Sequence, residues 1–433
     1  MLLEYSIENT FSIKEKQTIS FEAVIDDKDS DEFHCKQIGD KRILKMACLY
    51  GANASGKTKM AKALFFYIDF ILSSFTDLRP NESTHFVPFK FSEETRQSCG
   101  SFELIFYAKD LVSDKIVKYK YNLSLNEKSV EQESLYYAPK GQMKLLFERN
   151  STEEIKWGID VTGAKKIIAE MTRTNCSVIS AGAQAKHPIF KFIYEYLSDR
   201  FNGIITSSSG GLSGYIAKKL ETDSELKQKV LLLLSVSDIG NITDIKIKSE
   251  PIPDELIAQF PQNVQEEITK RPEKPKSRKL SIVHSYDKEY ELSLNEESEG
   301  TKRLMELSLP LIDISTSDSL LIIDELESSL HQLLLETFIQ AFLMISTKTN
   351  SESQLLFTTH NQELLDSGLL RDDEVWFCYK DFDGASIYNC ITDFTGVRKE
   401  VSRKRLYQSG KFGALPNLDI NTLVEKFSAK KNS

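Results

Sequence analysis

The stretch that decides the reading is ILKMACLYGANASGKTKMAKALFFYIDFIL, Ile43 to Leu72. Ile43 to Tyr50 is a largely apolar run, short enough for a strand buried on both faces. Gly51-Ala-Asn-Ala-Ser-Gly56-Lys57-Thr58 follows and matches G-x-x-x-x-G-K-[S/T] in full. The glycines let the backbone curl so that its N–H groups face a phosphate. In such a loop Lys57 reaches the β- and γ-phosphates, and the Thr58 hydroxyl ligates Mg²⁺. Met60, Leu64, Phe65, Ile68, Ile71 and Leu72 then recur at helical spacing. Strand, loop and helix in this order imply nucleotide binding at Gly51, Asn53, Ala54, Ser55, Gly56, Lys57 and Thr58. A plain glycine turn has no use for the Lys-Thr pair.

Working outward, DSLLIIDELESSLHQ begins at Asp318. Leu320 to Ile323 read as a second buried strand ending in Asp324-Glu325. An Asp at such a tip holds Mg²⁺ beside Thr58, and a Glu directly after it orients an attacking water. A third buried strand is expected over Leu355–Thr358 in SQLLFTTHNQELL. His360 follows it, 36 residues past Asp324. Beyond the carboxyl end of a strand in an α/β sheet, a His lies on the ligand side and can bond a γ-phosphate. Upstream, EESEGTKRLMEL (Glu296–Leu307) reads as a loop entering a helix, a second anion-type helix start. Pro310 is expected to kink that helix, because proline removes one backbone bond.

Composition sets the outer bounds. The 433 residues exceed what one core usually holds, so two lobes are expected. Hydrophobic residues are 40% and charged residues 27%, an ordinary globular balance. A net charge of −9 gives no indication of a general affinity for nucleic acid or anionic membrane, while a local basic face stays open. No apolar run reaches membrane-span length, and the opening MLLEYSIENTFSIKEK has no signal-peptide pattern. The six cysteines form no CxxC pair and read as small core residues of a reducing cytoplasm.

Taken together, the motifs resemble the ABC-type ATPases, specifically their SMC-like branch. The resemblance implies an α/β fold: an ABC-type (SMC-like) P-loop nucleotide-binding domain with an antiparallel β subdomain and an inserted helical region. It implies ATP and Mg²⁺ as cofactors. It also implies a homo-oligomer in which two copies sandwich two ATPs, each ATP meeting the phosphate loop of one copy and a signature helix of the other. Gly300 precedes Asp324 by 24 residues, the family interval, so Ser298 and Gly300 are expected to cap the γ-phosphate in trans. Catalysis is assigned to Glu325, His360 and Lys57, and metal binding to Thr58 and Asp324. Leu326–His331 resembles the loop that meets its counterpart across the dimer. Asn9, Phe11 and Ser12, in YSIENTFSIKEKQTISF, resemble the turn after the branch's first strand. Two departures imply slow turnover. The signature reads Ser-Glu-Gly-Thr, and no Gln is placed to complete the Mg²⁺ shell, Gln97 being the one candidate.

The tail EVWFCYKDFDGASIYNCITDFTGVRKE, with LYQSGKFGALPNLD, resembles compact bacterial ATPases. Many of these are encoded in two-gene anti-phage systems beside a Toprim-type nuclease. The implied role is a sensor and scaffold that restrains a nuclease effector until a phage protein triggers release. A DNA repair clamp with DNA between paired heads, and an assembly module using ATP as glue, remain open alternatives. A transporter ATPase is disfavoured, since the insertion leaves no standard coupling region.

The rest of the chain divides by pattern. Residues 1–150 are expected to form an N-terminal ATPase lobe, with antiparallel strands in SFELIFYA, VKYKYNLSL and ESLYYAP. Residues 151–279 read as a helical insertion with a charged excursion over Pro251–Lys279. A docking arm there would use Lys270, Arg271, Lys274, Lys276, Arg278 and Lys279, though interleaved glutamates argue against nucleic acid. TSSSGGLSG (Thr206–Gly214) reads as a surface loop. Residues 280–433 are the C-terminal ATPase lobe, with signature, acid strand and switch His. Within it, KDFDG (Lys380–Gly384) reads as a hairpin turn rather than a DxD metal site. Arg398, Lys399, Arg403, Lys404 and Arg405 read as a solvated helix face or partner contact.

Overall fold

The computed structural model describes residues 1–25, 27–151, 154–206, 212–237, 240–260, 265, 268, 275–398, 400–416 and 420–428. Two compact units emerge: Met1–Ile204 with Asp318–Glu325 and Glu352–Ser433, and Ile205–Ser317 with Leu326–Ser351. They cut across the intervals 1–150, 151–279 and 280–433. The chain leaves the first unit at Ile204, re-enters it for the acid strand, and leaves again after Glu325.

The first unit carries a mixed sheet in the order Phe201–Ile205, Leu320–Ile323, Gln354–Thr359, Met46–Tyr50, Val375–Lys380, Ser386–Cys390. The pairings from Leu320–Ile323 through Val375–Lys380 are parallel, and Ser386–Cys390 closes the sheet antiparallel. Met46–Tyr50, Leu320–Ile323 and Gln354–Thr359 are buried along their whole length, as parallel strands covered on both faces must be. The last two strands form the hairpin that Asp383-Gly384 announced. Gly384 takes φ +81° at its turn, and Asp381 N donates to Ala385 O at 2.8 Å. Asp383 of the DxD pairs with Lys14 at 2.7 Å, so this carboxylate anchors the turn.

A seven-stranded sheet of the same unit runs Lys156–Trp157, Lys144–Asn150, Val130–Ala138, Ile116–Leu125, Gly100–Lys109, Leu2–Glu8, Gln17–Ser20. Burial alternates strictly along Gly100–Lys109 and Ile116–Leu125, the mark of a sheet with one face on the core. That face meets the helix Lys57–Asp77, where Tyr67 and Phe102 belong to one buried cluster. Phe106, stacked between Tyr119 and Tyr196, extends the contact to the helix Pro188–Arg200. The buried Glu133 carboxylate pairs with Arg149 at 3.1 Å and accepts from Tyr121 Oη at 2.8 Å and from Val178 N at 3.0 Å. One carboxylate thus ties the sheet to the start of the helix Val178–Gln184.

In the second unit the helices Leu212–Thr222, Ser224–Val236 and Glu299–Asp313 pack with a three-stranded antiparallel sheet, Ile242–Pro251, Lys276–Ser285, Glu289–Ser293. Leu220, Leu234, Ile245, Ile282, Met305 and Leu309 form its core. The helical insertion is therefore corrected: it carries strands as well as helices. The excursion keeps a short helix, Asp254–Ile257, but Lys276, Arg278 and Lys279 belong to a strand paired with Ile242–Pro251. Arg278 meets Glu221 at 2.6 Å, so its charge is taken up within the unit. Lys270, Arg271, Lys274, Lys399 and Ser207–Gly211 of the expected loop lie outside the described residues. Leu212–Gly214 open a helix instead. The helix Glu299–Asp313 also runs on past Pro310 to Asp313.

Two of the remaining basic residues of the C-terminal cluster are paired. Arg403 grips Asp372 at 2.6 and 2.9 Å, and Lys404 meets Glu363 at 2.5 Å. Among the described residues no helix is long and apolar enough to cross a membrane.

Candidate nucleotide site

The strand Met46–Tyr50 delivers the chain at the carboxyl edge of the mixed sheet, and Gly51–Gly56 turns it into the helix Lys57–Asp77. Ala54 sits at φ +63° and Gly56 at φ +120°. A side chain at Gly56 would run into Ser386 Oγ, and one at Gly51 would run into the Cys378 carbonyl. Both glycines are therefore required by close approach as well as by curvature. Asn53 and Ala54 are exposed at the loop tip, while Ser55 and Lys57 are buried. Lys57 Nζ folds back across the loop and donates to Gly51 O at 2.8 Å and Ala52 O at 3.2 Å.

The acid strand ends beside this loop. Asp324 Oδ1 accepts from Thr58 Oγ1 at 2.9 Å and from Thr358 Oγ1 at 2.6 Å. Thr358 Oγ1 in turn accepts from Glu325 N at 2.8 Å. One hydroxyl on the neighbouring strand thus orients both acidic residues, and Glu325 turns at φ +51°. Thr358 was absent from the sequence-derived site. Its signal is the polar Thr358-Thr359 pair ending an otherwise apolar strand. Register sets the remaining geometry. Ile323 pairs with Phe357, and Thr359 pairs with Tyr50. Gly51, Asp324 and His360 consequently all leave the sheet at one edge, and His360 is exposed there.

Ser298 and Gly300 belong to the second compact unit. Ser298 caps the helix Glu299–Asp313, its Oγ accepting from Thr301 N at 3.1 Å. A Cβ at Gly300 would lie 3.1 Å from Ser329 O, so the loop after the acid strand closes over the signature start. Behind it, His284 Nε2 meets Glu297 at 2.7 Å and His284 Nδ1 meets Gly240 O at 2.6 Å. Burial alone would lower the His284 pKa, but these two bonds hold it above its ordinary value. Gln97 is exposed at the end of the short helix Glu93–Gln97.

The residues present fit a phosphate group and a hard cation. Among the described residues Ser55 Oγ is buried inside the loop without a hydrogen-bond partner, 2.7 Å from where a Gly51 Cβ would stand. Thr58 and Asp324 offer hydroxyl and carboxylate oxygens at one point, the donor set that Mg²⁺ prefers.

With this geometry in hand, residues 215–366 match the profile of a family described as "AAA domain, putative AbiEii toxin, Type IV TA system". The matched span holds Ser298, Gly300, Asp324, Glu325 and His360, while the phosphate loop lies before it. Two solved structures are similar. One is the SMC head domain from Thermotoga maritima, at 14% identity and TM-score 0.41, over 90% of this chain and 98% of that one. The other is SmcHead bound to the C-winged helix domain of ScpA, at 11% identity and TM-score 0.41, over 94% of this chain and 99% of that one. No curated protein matches. The fold class is α/β: the phosphate-loop and acid strands flank the histidine strand in the parallel part of one mixed sheet, and the same unit carries an antiparallel β sheet.

Proposed function

We propose that the chain is an ATP-binding and hydrolysing ATPase of the ABC/SMC-like kind, working as a homo-oligomer through ATP-bridged pairing of heads. The observation that carries this is the contact of Thr58 Oγ1 with Asp324 Oδ1 at 2.9 Å, which joins the phosphate loop to the acid strand. In this reading the Gly51–Thr58 backbone and Lys57 hold the phosphates. Thr58 and Asp324 hold Mg²⁺, which neutralises charge on the phosphates. Glu325 orients the attacking water and His360 bonds the γ-phosphate. Ser298 and Gly300 of a second copy cap that phosphate from the far side.

The biological role proposed is sensor and scaffold: the assembly restrains a Toprim-type nuclease effector in anti-phage defence, and a phage protein releases it. The tail motifs support this through their resemblance to compact defence ATPases, and one candidate identity is AriA, the ATPase subunit of the PARIS system. The family profile over 215–366 supports the ATPase part. Closure on ATP would shift the population between assembly states, and hydrolysis would reset it.

Mass photometry with and without ATP, alone and with the product of the neighbouring gene, tests this reading. Glu325→Gln should accumulate an ATP-bound assembly that captures the effector, and Lys57→Ala should form none. Identical assemblies for wild type and both variants, whatever the nucleotide, would sink it.

A further inference from the structure

Two backbone carbonyls inside the phosphate loop are held from outside it. Ser55 O accepts from Ser386 Oγ at 2.6 Å and from Cys378 Sγ at 3.2 Å. Gly56 O accepts from Tyr388 Oη at 2.7 Å, and also from Lys59 N at 2.8 Å and Met60 N at 3.1 Å of its own helix. The three donors come from the hairpin strands Val375–Lys380 and Ser386–Cys390. Ser386 and Tyr388 alternate along one strand and so share a face, and Cys378 pairs with Tyr388 in register. They make one patch of donors under the loop, and all three side chains are buried.

The patch is itself braced. Ser386 has a single hydroxyl proton. That proton goes to Ser55 O, so Ser12 Oγ at 2.8 Å and Lys380 Nζ at 3.0 Å both donate into its lone pairs. Lys380 is fixed in turn by Gly384 O at 2.8 Å. The first-strand turn, the hairpin and the phosphate loop thus meet at one oxygen.

The consequence follows from the planarity of the peptide. In a trans peptide the C=O and the N–H point in opposite directions. Ser55 O shares its peptide with Gly56 N, and Gly56 O shares its peptide with Lys57 N. With Ser55 O anchored on the hairpin, and Gly56 O held by Tyr388 as well as by its helix, both N–H groups aim the other way, to the side where the loop would cradle phosphate.

We propose that Ser386 and Tyr388 are positioning residues for the nucleotide: they preset the Gly56 and Lys57 amides, so that ATP meets donors already aligned. The proposal rests on the nucleotide-binding reading above, and it assigns to the distant hairpin part of the affinity that the loop motif alone is credited with. Preset donors lose no orientational freedom when the phosphate arrives, and so strengthen binding without adding a contact.

Titration calorimetry with Mg²⁺·ATPγS and Mg²⁺·ADP tests it on wild type, Tyr388→Phe, Ser386→Ala and Lys57→Ala, with the nucleotide-free unfolding midpoint measured alongside. Tyr388→Phe removes one oxygen and keeps the ring, so the nucleotide-free midpoint should stay within about 2 °C. Its affinity, and that of Ser386→Ala, should fall by about five- to tenfold for both nucleotides, the scale of one lost hydrogen bond. Affinities within about twofold of wild type overturn the proposal. So does a lowered midpoint with unchanged affinity, or a Tyr388→Phe chain that no longer melts cooperatively, because either marks a purely structural role. If wild type binds neither nucleotide and Lys57→Ala is no different, the nucleotide reading itself fails and the proposal with it.

Discussion

The two helix starts proposed to meet phosphate are built in opposite ways. The helix Glu299–Asp313 caps itself: Ser298 Oγ accepts from Thr301 N at 3.1 Å. The helix Lys57–Asp77 begins at Gly56, which has no side chain to cap it. Its first turn is held from the carbonyl side, by Ser386 and Tyr388 of a hairpin far along the chain. A self-capped start keeps its shape with no ligand. A start whose first carbonyls are held from outside turns the amides that share their peptides the other way, which suits it to an anion. The contrast fits two roles, one site that holds the nucleotide and one that meets it once held.

The largest expected effect breaks the first of these sites. Lys57→Ala should weaken Mg²⁺·ATP binding by about a hundredfold or more, the scale of a lost charge-assisted contact to phosphate. Fluorescence titration of a labelled ATP analogue would measure it. Retention of full affinity would remove the basis for treating the two starts as different.

A change at the second site should separate capture from pairing. Gly300→Asp places a carboxylate beside the expected γ-phosphate position, and a Cβ there already stands 3.1 Å from Ser329 O. Equilibrium binding of ATP to the single chain should stay within about twofold. ATP-dependent pairing, read by sedimentation velocity, should weaken by about tenfold or more. Equal losses in both measurements would mean that the two starts do not divide the work as proposed.

The smallest effect sharpens the comparison through pH. His284 has a raised pKa in the folded chain, held by Glu297 and the Gly240 carbonyl. A raised folded pKa stabilises in full below the unfolded value of about 6.5, and that stability is lost as pH rises through the folded value. Between about pH 6 and pH 8.5 the wild-type unfolding midpoint should therefore fall by about one to two degrees more than that of His284→Gln. Differential scanning fluorimetry across that range would detect it. Parallel pH profiles would show that the pair behind the signature contributes nothing to stability.

Much of the molecule was legible from local pattern. The apolar runs of Met46–Tyr50, Leu320–Ile323 and Leu355–Phe357 are short, uninterrupted and bounded by polar or glycine residues. The alternation in SFELIFYA and VKYKYNLSL announces half-buried antiparallel strands, and Asp383-Gly384 announces a hairpin. The strand Lys276–Ser285 escaped notice because its first half, KSRK, is as polar as a linker, and only pairing with Ile242–Pro251 makes it a strand. Thr358, Ser386 and Tyr388 escaped for a different reason. A Thr at the end of a strand and a Ser and Tyr in a hairpin look ordinary, and nothing local says which oxygen each will meet.

By itself, then, the sequence determined the strand–loop–helix proposed to cradle phosphate, the acidic end of a buried strand and the placement of His360 just past another. These depend on residue type, spacing and periodicity within a dozen positions, where backbone geometry leaves few choices. Only the tertiary structure decided that the phosphate-loop and acid strands flank the histidine strand, and that Thr58 touches Asp324 across 266 residues of chain. It alone put Ser386 and Tyr388 beneath the loop. Contacts of that range follow from how sheets order their strands and how side chains fill the space between them, and no short window of sequence encodes that order.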